Sequence, residues 1–129
     1  MIYLDASALV TMVVERRHAD ALRRFLDDHA IPTGTSVVGL VETVRACDQV
    51  GTYPGLLAKL VKEHREITVT KSIRDLAANL AGPVKALDAL HIASAEQLGP
   101  ELTALVTYDR RMAEVARQRG LPVQMPGME

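Results

Sequence analysis

Short apolar runs alternate with helical patterns along the whole chain. Ile2-Tyr3-Leu4 reads as a short buried strand. Helices follow from about Ser7 to Glu15 and from Arg17 to His29. Ile31 to Thr35, punctuated by Pro32 and Gly34, is the second expected strand. From Ser36 to Val50 the residues Val37, Leu40, Val41, Val44 and Cys47 recur at helical spacing and mark one face of a helix that stops at Gly51. Another helix covers about Pro54 to His64, and Glu66 to Thr70 is β-branched and strand-like. Helices are expected over Ser72 to Ala81, Lys85 to Gln97 and Arg110 to Gly120, and a strand over Leu102 to Thr107. Leu121 to Gln124 contains Pro122, so it reads as an edge strand. This alternation is the signature of an α/β domain with a mostly parallel sheet.

The chain has 129 residues, 48% hydrophobic and 24% charged, with a net charge of −1. These values predict a single domain over residues 1–129 and exclude a disordered chain. Phe25, Tyr3, Tyr53 and Tyr108 are the only aromatic residues. That counts against modules that stack bases or proline-rich ligands on aromatic platforms. Cys47 is the single cysteine, so no internal disulfide forms, and no Cys/His grouping has zinc spacing. A reducing, cytoplasmic setting is the simplest expectation. No apolar run reaches the roughly 18 to 20 residues that cross a bilayer, so no membrane association is expected. Met1 to Val14 lacks the basic start and small-residue cleavage pattern of a signal peptide and reads as folded sequence.

The informative feature is the company kept by four acids. Asp5 is the only charged residue between Met1 and Val14, and Glu42 the only one between Ile31 and Val44. Asp88 is alone between Ala86 and Ala95, with His91 nearby, and Asp109 is alone between Leu102 and Asp109. An ionised carboxylate in an apolar stretch must be protonated, hydrogen-bonded or placed on a cation. Four such acids suggest a shared cause, and a hard divalent cation, which takes carboxylate oxygens, is the natural candidate. Asp5 and Asp109 follow expected strands, and ligands of open parallel sheets bind outside the carboxyl ends of the strands. Asp88 shares a helical step with Ile92 and Ala95, so its face turns inward.

Each acid also has a plainer reading. Asp5, Asp88 and Asp109 all stand where a residue caps a helix, and Glu42 is placed to pair with Arg45 at i+3. Ser7 and Thr107 lie two residues from Asp5 and Asp109, where they either orient the acids or make local turn bonds. His91 reads as a packed helix histidine rather than a base. Arg16, Arg17, Arg23, Arg24, Arg110 and Arg111 read as solvated helix faces, or as contacts to phosphates.

The segments Ile2 to Leu9, Ser36 to Glu42, Leu87 to Ala93 and Val106 to Asp109 resemble, in order and spacing, the acidic motifs of PIN-domain ribonucleases. The closing Gly120-Leu121-Pro122-Val123 is also typical, and the resemblance covers essentially the whole chain. A chain this short looks most like the VapC toxins of prokaryotic toxin–antitoxin pairs. The resemblance implies a PIN-like three-layer α/β/α domain with about five mostly parallel strands. It implies Mg²⁺- or Mn²⁺-dependent RNA cleavage, with Asp5, Glu42, Asp88 and Asp109 as metal-binding catalytic residues and Ser7 and Thr107 supporting them. It also implies a homodimer silenced by a VapB-like antitoxin.

The net charge does not oppose an RNA substrate: a total of −1 with −4 on these acids leaves +3 on the rest of the chain. A receiver domain would need an acidic pair after the first strand, and a haloacid-dehalogenase-type phosphatase a second Asp where Ser7 stands. A non-catalytic interaction protein on the same scaffold and a housekeeping RNA-processing nuclease stay open as alternatives.

Overall fold

The computed structural model describes residues 1–128; Glu129 lies outside them. Five strands form one sheet in the order β3-β2-β1-β4-β5, and every neighbouring pair is parallel. They are β1 Ile2–Leu4, β2 Thr33–Ser36, β3 Arg65–Ile67, β4 Ala104–Val106 and β5 Val123–Gln124. The helices are α1 Ala6–Val13, α2 Ala19–His29, α3 Val37–Asp48, α4 Leu56–Glu63, α5 Lys71–Ala78, α6 Ala86–Glu96 and α7 Arg110–Gln118. A single 3-10 turn at Gly99–Glu101 precedes β4.

The central strand explains the layering. Successive side chains of a strand point to opposite faces. Ile2 and Leu4 join the core formed with α1, α3 and α4, whereas Tyr3 joins the core formed with α6 and α7. β4 divides in the same way, with Val106 on the first face and Leu105 on the second. All three residues of β1 and both of these β4 residues are fully buried, as expected of parallel strands covered on both sides. This is the expected three-layer α/β/α arrangement, and β5 is an edge as Pro122 suggests.

Several boundaries move for local reasons. β2 begins after Pro32, although the Pro32 carbonyl still accepts the Ile2 N–H at 3.0 Å. β3 starts one residue and ends three residues earlier than the β-branched run predicts. The Thr70 hydroxyl accepts the Ile73 N–H and caps α5, so the end of that run becomes a helix start. α1 and α2 are shorter than expected because the chain turns between them, with Glu15 at φ 56°.

The buried face of α3 is also different. Leu40 and Cys47 of the expected apolar stripe are buried, but Val37 and Val41 are 40% and 51% exposed, and Gly39 and Thr43 are buried in their place. Thr43 can be buried because its hydroxyl donates to the Gly39 carbonyl at 2.6 Å within the helix. Gly39 allows close approach: a Cβ there would fall 2.0 Å from Thr35 Oγ1. Small and internally satisfied side chains therefore complete the inward face beside Leu40 and Cys47.

Candidate active site

In a parallel sheet all strands deliver the chain to the same edge, so the helices that follow them start side by side. Four of these starts carry capping side chains, Thr70 on α5 being one. Asp5 caps α1 by accepting the Ala8 N–H at 2.9 Å. Ser36 caps α3 by accepting from Gly39 at 3.3 Å. Asp109 caps α7, its Oδ1 accepting the N–H groups of Arg111 at 2.9 Å and Met112 at 3.1 Å. The capping reading of Asp5 and Asp109 is thus correct as far as it goes. Asp88 does not cap α6; Lys85 occupies that position and Asp88 sits within the first turn.

Asp5 is only 4% exposed, and its two oxygens receive three donors. Oδ1 accepts from Ala8 N and from the Ser7 hydroxyl at 2.7 Å, and Oδ2 accepts from the Thr107 hydroxyl at 2.6 Å. Burial pushes its carboxyl above the usual carboxylate range, and these donors oppose the shift. The Ser7 oxygen accepts the Tyr108 N–H at 2.9 Å, and the Thr107 oxygen accepts the Asp109 N–H at 3.0 Å. Ser7 and Thr107 therefore join the end of β1 to the end of β4.

Glu42 is half-buried and reaches across to α6. Its Oε1 lies 2.8 Å from His91 Nε2, and among the described residues it makes no ion pair with Arg45. Asp88 is also half-buried, and its carboxyl is held above the usual range, first by burial and then by the negative charges of Asp109, Asp5 and Glu42. Like charges raise a carboxyl in this way only at short range in a poorly screened setting. The four acids thus share one electrostatic environment although they come from α3, α6 and the ends of β1 and β4. Asp88 and Asp109 line a surface cavity of about 430 Å³ together with Lys85, Tyr108, Arg110 and Arg111. Among the described residues, no three His, Cys, Asp or Glu side chains close into a ready-made cation cage.

Sequence patterning passes over two participants. Tyr3 looks like a core residue of a short strand, and it is one, but its hydroxyl lies 2.7 Å from His91 Nδ1. His91 looks like a packed histidine, and at 1% exposure it is buried, yet both of its ring nitrogens meet side chains from other elements. The only hint in the sequence is the position of His91 three residues after Asp88 on the same helix.

A doubly covered parallel sheet with a group of carboxylates at its carboxyl edge defines the class of this protein. The chain belongs to the PIN domain family, whose model matches residues 2–118. Ribonuclease VapC46 of Mycobacterium tuberculosis is 36% identical to it over 127 residues, covering 97% of each chain. Among solved structures, VapC20 of Mycobacterium tuberculosis, described as a sarcin-ricin loop cleaving toxin, is similar with a TM-score of 0.72 and 15% identity over 94% of this chain and 96% of that one. A chain of a toxin–antitoxin complex from Klebsiella pneumoniae has a TM-score of 0.69 and 17% identity over 98% of both chains.

Proposed function

We propose that this protein is a divalent-cation-dependent endoribonuclease that acts in the cytoplasm as the toxin of a toxin–antitoxin pair. The observation that carries the reading is the convergence of four acids from α3, α6 and the ends of β1 and β4, with Asp88 and Asp109 lining one cavity and the charges of Asp109, Asp5 and Glu42 all reaching the Asp88 carboxyl. The negative charges around Asp88 disfavour its ionisation, and a divalent cation relieves this. The donor set fits such an ion: it is all oxygen and all carboxylate, the chemistry preferred by Mg²⁺ and Mn²⁺. Asp5, Glu42 and Asp88 would hold it. Asp109 adds the oxygen left over from its capping bonds, because Oδ1 is committed to α7.

The chemistry supplied by a bound divalent cation is polarisation of a water and of the scissile phosphate. The chain supplies orientation. Three donors fix Asp5 before any ligand arrives, so little ordering remains to be done on binding. Lys85, Arg110 and Arg111 line the same cavity as Asp88 and Asp109 and draw an RNA backbone toward the acids. Ser7 is not a nucleophile in this scheme: its hydroxyl donates to Asp5 and its oxygen accepts from Tyr108.

The relative named a ribonuclease supports RNA as the substrate, and the complex with similar architecture supports an antitoxin of the VapB kind as partner. Exposed Val37 and Val41 on α3, with Leu57 and Val61 on α4, offer apolar surface for a homodimer.

The test is RNA cleavage by the purified protein with Mg²⁺ or Mn²⁺, with and without EDTA, beside Asp5→Asn. Cleavage is expected only with the cation and only in the wild type. A folded wild type that binds Mn²⁺ and leaves the toxin-sensitive RNAs of its host intact would overturn the catalytic reading in favour of a binding scaffold.

A further inference from the structure

A buried polar chain runs from the middle of the sheet to the carboxylate group. Tyr3, on the central strand, is fully buried, and the Ser36 N–H donates to its hydroxyl oxygen at 3.3 Å. The same hydroxyl lies 2.7 Å from His91 Nδ1, and His91 Nε2 lies 2.8 Å from Glu42 Oε1. The partners assign the protons. A carboxylate only accepts, so Nε2 carries a hydrogen and donates to Glu42. Tyr3 has one hydrogen, and His91 Nδ1 is its close acceptor, so Nδ1 carries none. For the neutral imidazole this gives the tautomer protonated at Nε2, and the direction of the chain is set by the Glu42 carboxylate, which can only accept.

We propose that His91 is a positioning residue that holds Glu42 Oε1 and leaves Oε2 for a divalent cation, with Tyr3 fixing its tautomer. This rests on the reading of Glu42 as a cation ligand. A histidine serving only the core would satisfy itself locally, whereas this one uses no backbone partner and spans from β1 to α3. It also places two acids under the control of one helix: Asp88 belongs to α6, and Glu42 is tied to α6 through His91. The helices meet closely enough for this because Gly39 has no side chain; a Cβ there would come within 3.2 Å of His91 Cε1.

Two substitutions separate positioning from packing. A glutamine amide nitrogen takes roughly the place of Nε2, and an asparagine amide that of Nδ1. His91→Gln keeps a donor for Glu42, and His91→Asn loses it while keeping a polar group for Tyr3. The readouts are Mn²⁺ affinity by titration calorimetry and RNA cleavage. The expected result is roughly tenfold or greater loss of Mn²⁺ affinity in His91→Asn, within the range typical of outer hydrogen-bond partners, with most of it restored in His91→Gln. Equal affinity in wild type and a folded His91→Asn overturns the inference alone. A folded wild type with no Mn²⁺ affinity overturns the metal-site reading and this inference with it.

A third measurement needs neither a variant that folds nor a metal. Two-bond ¹H–¹⁵N spectra of the metal-free wild type should show His91 as a single tautomer protonated at Nε2. A wild-type His91 protonated at Nδ1 alone would overturn the proposal.

Discussion

The Thr107 hydroxyl lies 2.6 Å from Asp5 Oδ2 and donates to it, while its oxygen accepts the Asp109 N–H at 3.0 Å. One side chain thus joins two acids that stand 104 residues apart in sequence. Thr107→Val keeps the shape, removes a hydrogen bond to a charged group and leaves the Asp109 N–H without its acceptor. The expected loss is about 1.5–3 kcal/mol in urea denaturation, with Thr107→Ser close to wild type. Mn²⁺ affinity should fall in the valine variant only. An unaltered denaturation midpoint would show that the hydroxyl contributes nothing.

The carboxyls of Asp5 and Asp88 are held above their ordinary value of 3.8 by burial, and in Asp88 also by its acidic neighbours. Between that value and the raised ones, the folded chain binds more protons than the unfolded chain. Stability contributed by these groups therefore falls as pH rises through that window. Cation binding requires the deprotonated acids, so stabilisation by Mn²⁺ grows over the same window. In thermal denaturation, the metal-free wild type should lose stability relative to Asp88→Asn as pH rises from about 4 toward neutrality. Mn²⁺ should raise the Tm of the wild type and leave that of the variant nearly unchanged. A wild type that gains on the variant with rising pH would contradict the shared environment of the four acids.

Gly39 matters for what it lacks. In Gly39→Ala the new methyl would stand 2.0 Å from Thr35 Oγ1, inside a fully buried contact, so α3 has to shift away from β2. Overpacking of this kind costs about 1–3 kcal/mol. The shift also carries Glu42 away from His91, so Mn²⁺ affinity should fall further than the loss of stability explains. Calorimetry at a temperature where the variant is fully folded checks this.

The cationic side of the cavity is testable through salt. With Asp5→Asn as a non-cleaving background, Lys85→Ala and Arg111→Ala should each weaken binding of single-stranded RNA. Each should also lower the slope of log affinity against log salt by about 0.7, the value for one phosphate contact. Arg111→Ala leaves its backbone N–H on Asp109, so the α7 cap survives and stability should change little. An unchanged salt slope in both variants would place the RNA elsewhere on the surface.

The acids were legible in the sequence because a buried charge is costly. Asp5 among the apolar residues from Met1 to Val14 demands a physical cause, whatever the fold. The alternation of strand and helix was legible for a related reason: the periods of burial differ between the two. From these, the parallel sheet and the grouping of acids at its carboxyl edge follow. Of the inward face of α3, Leu40 and Cys47 followed but Gly39 and Thr43 did not, because their smallness and internal hydrogen bond carry no hydrophobic signal. Nor did the partnership of Tyr3, His91 and Glu42. Each of them satisfies its local pattern, and only the crossing of β1, α6 and α3 brings residues up to 88 positions apart within hydrogen-bond distance. Sequence alone decided which groups had to find partners. The tertiary structure decided which partners they found, because hydrogen bonds depend on positions in space that local periodicity does not encode.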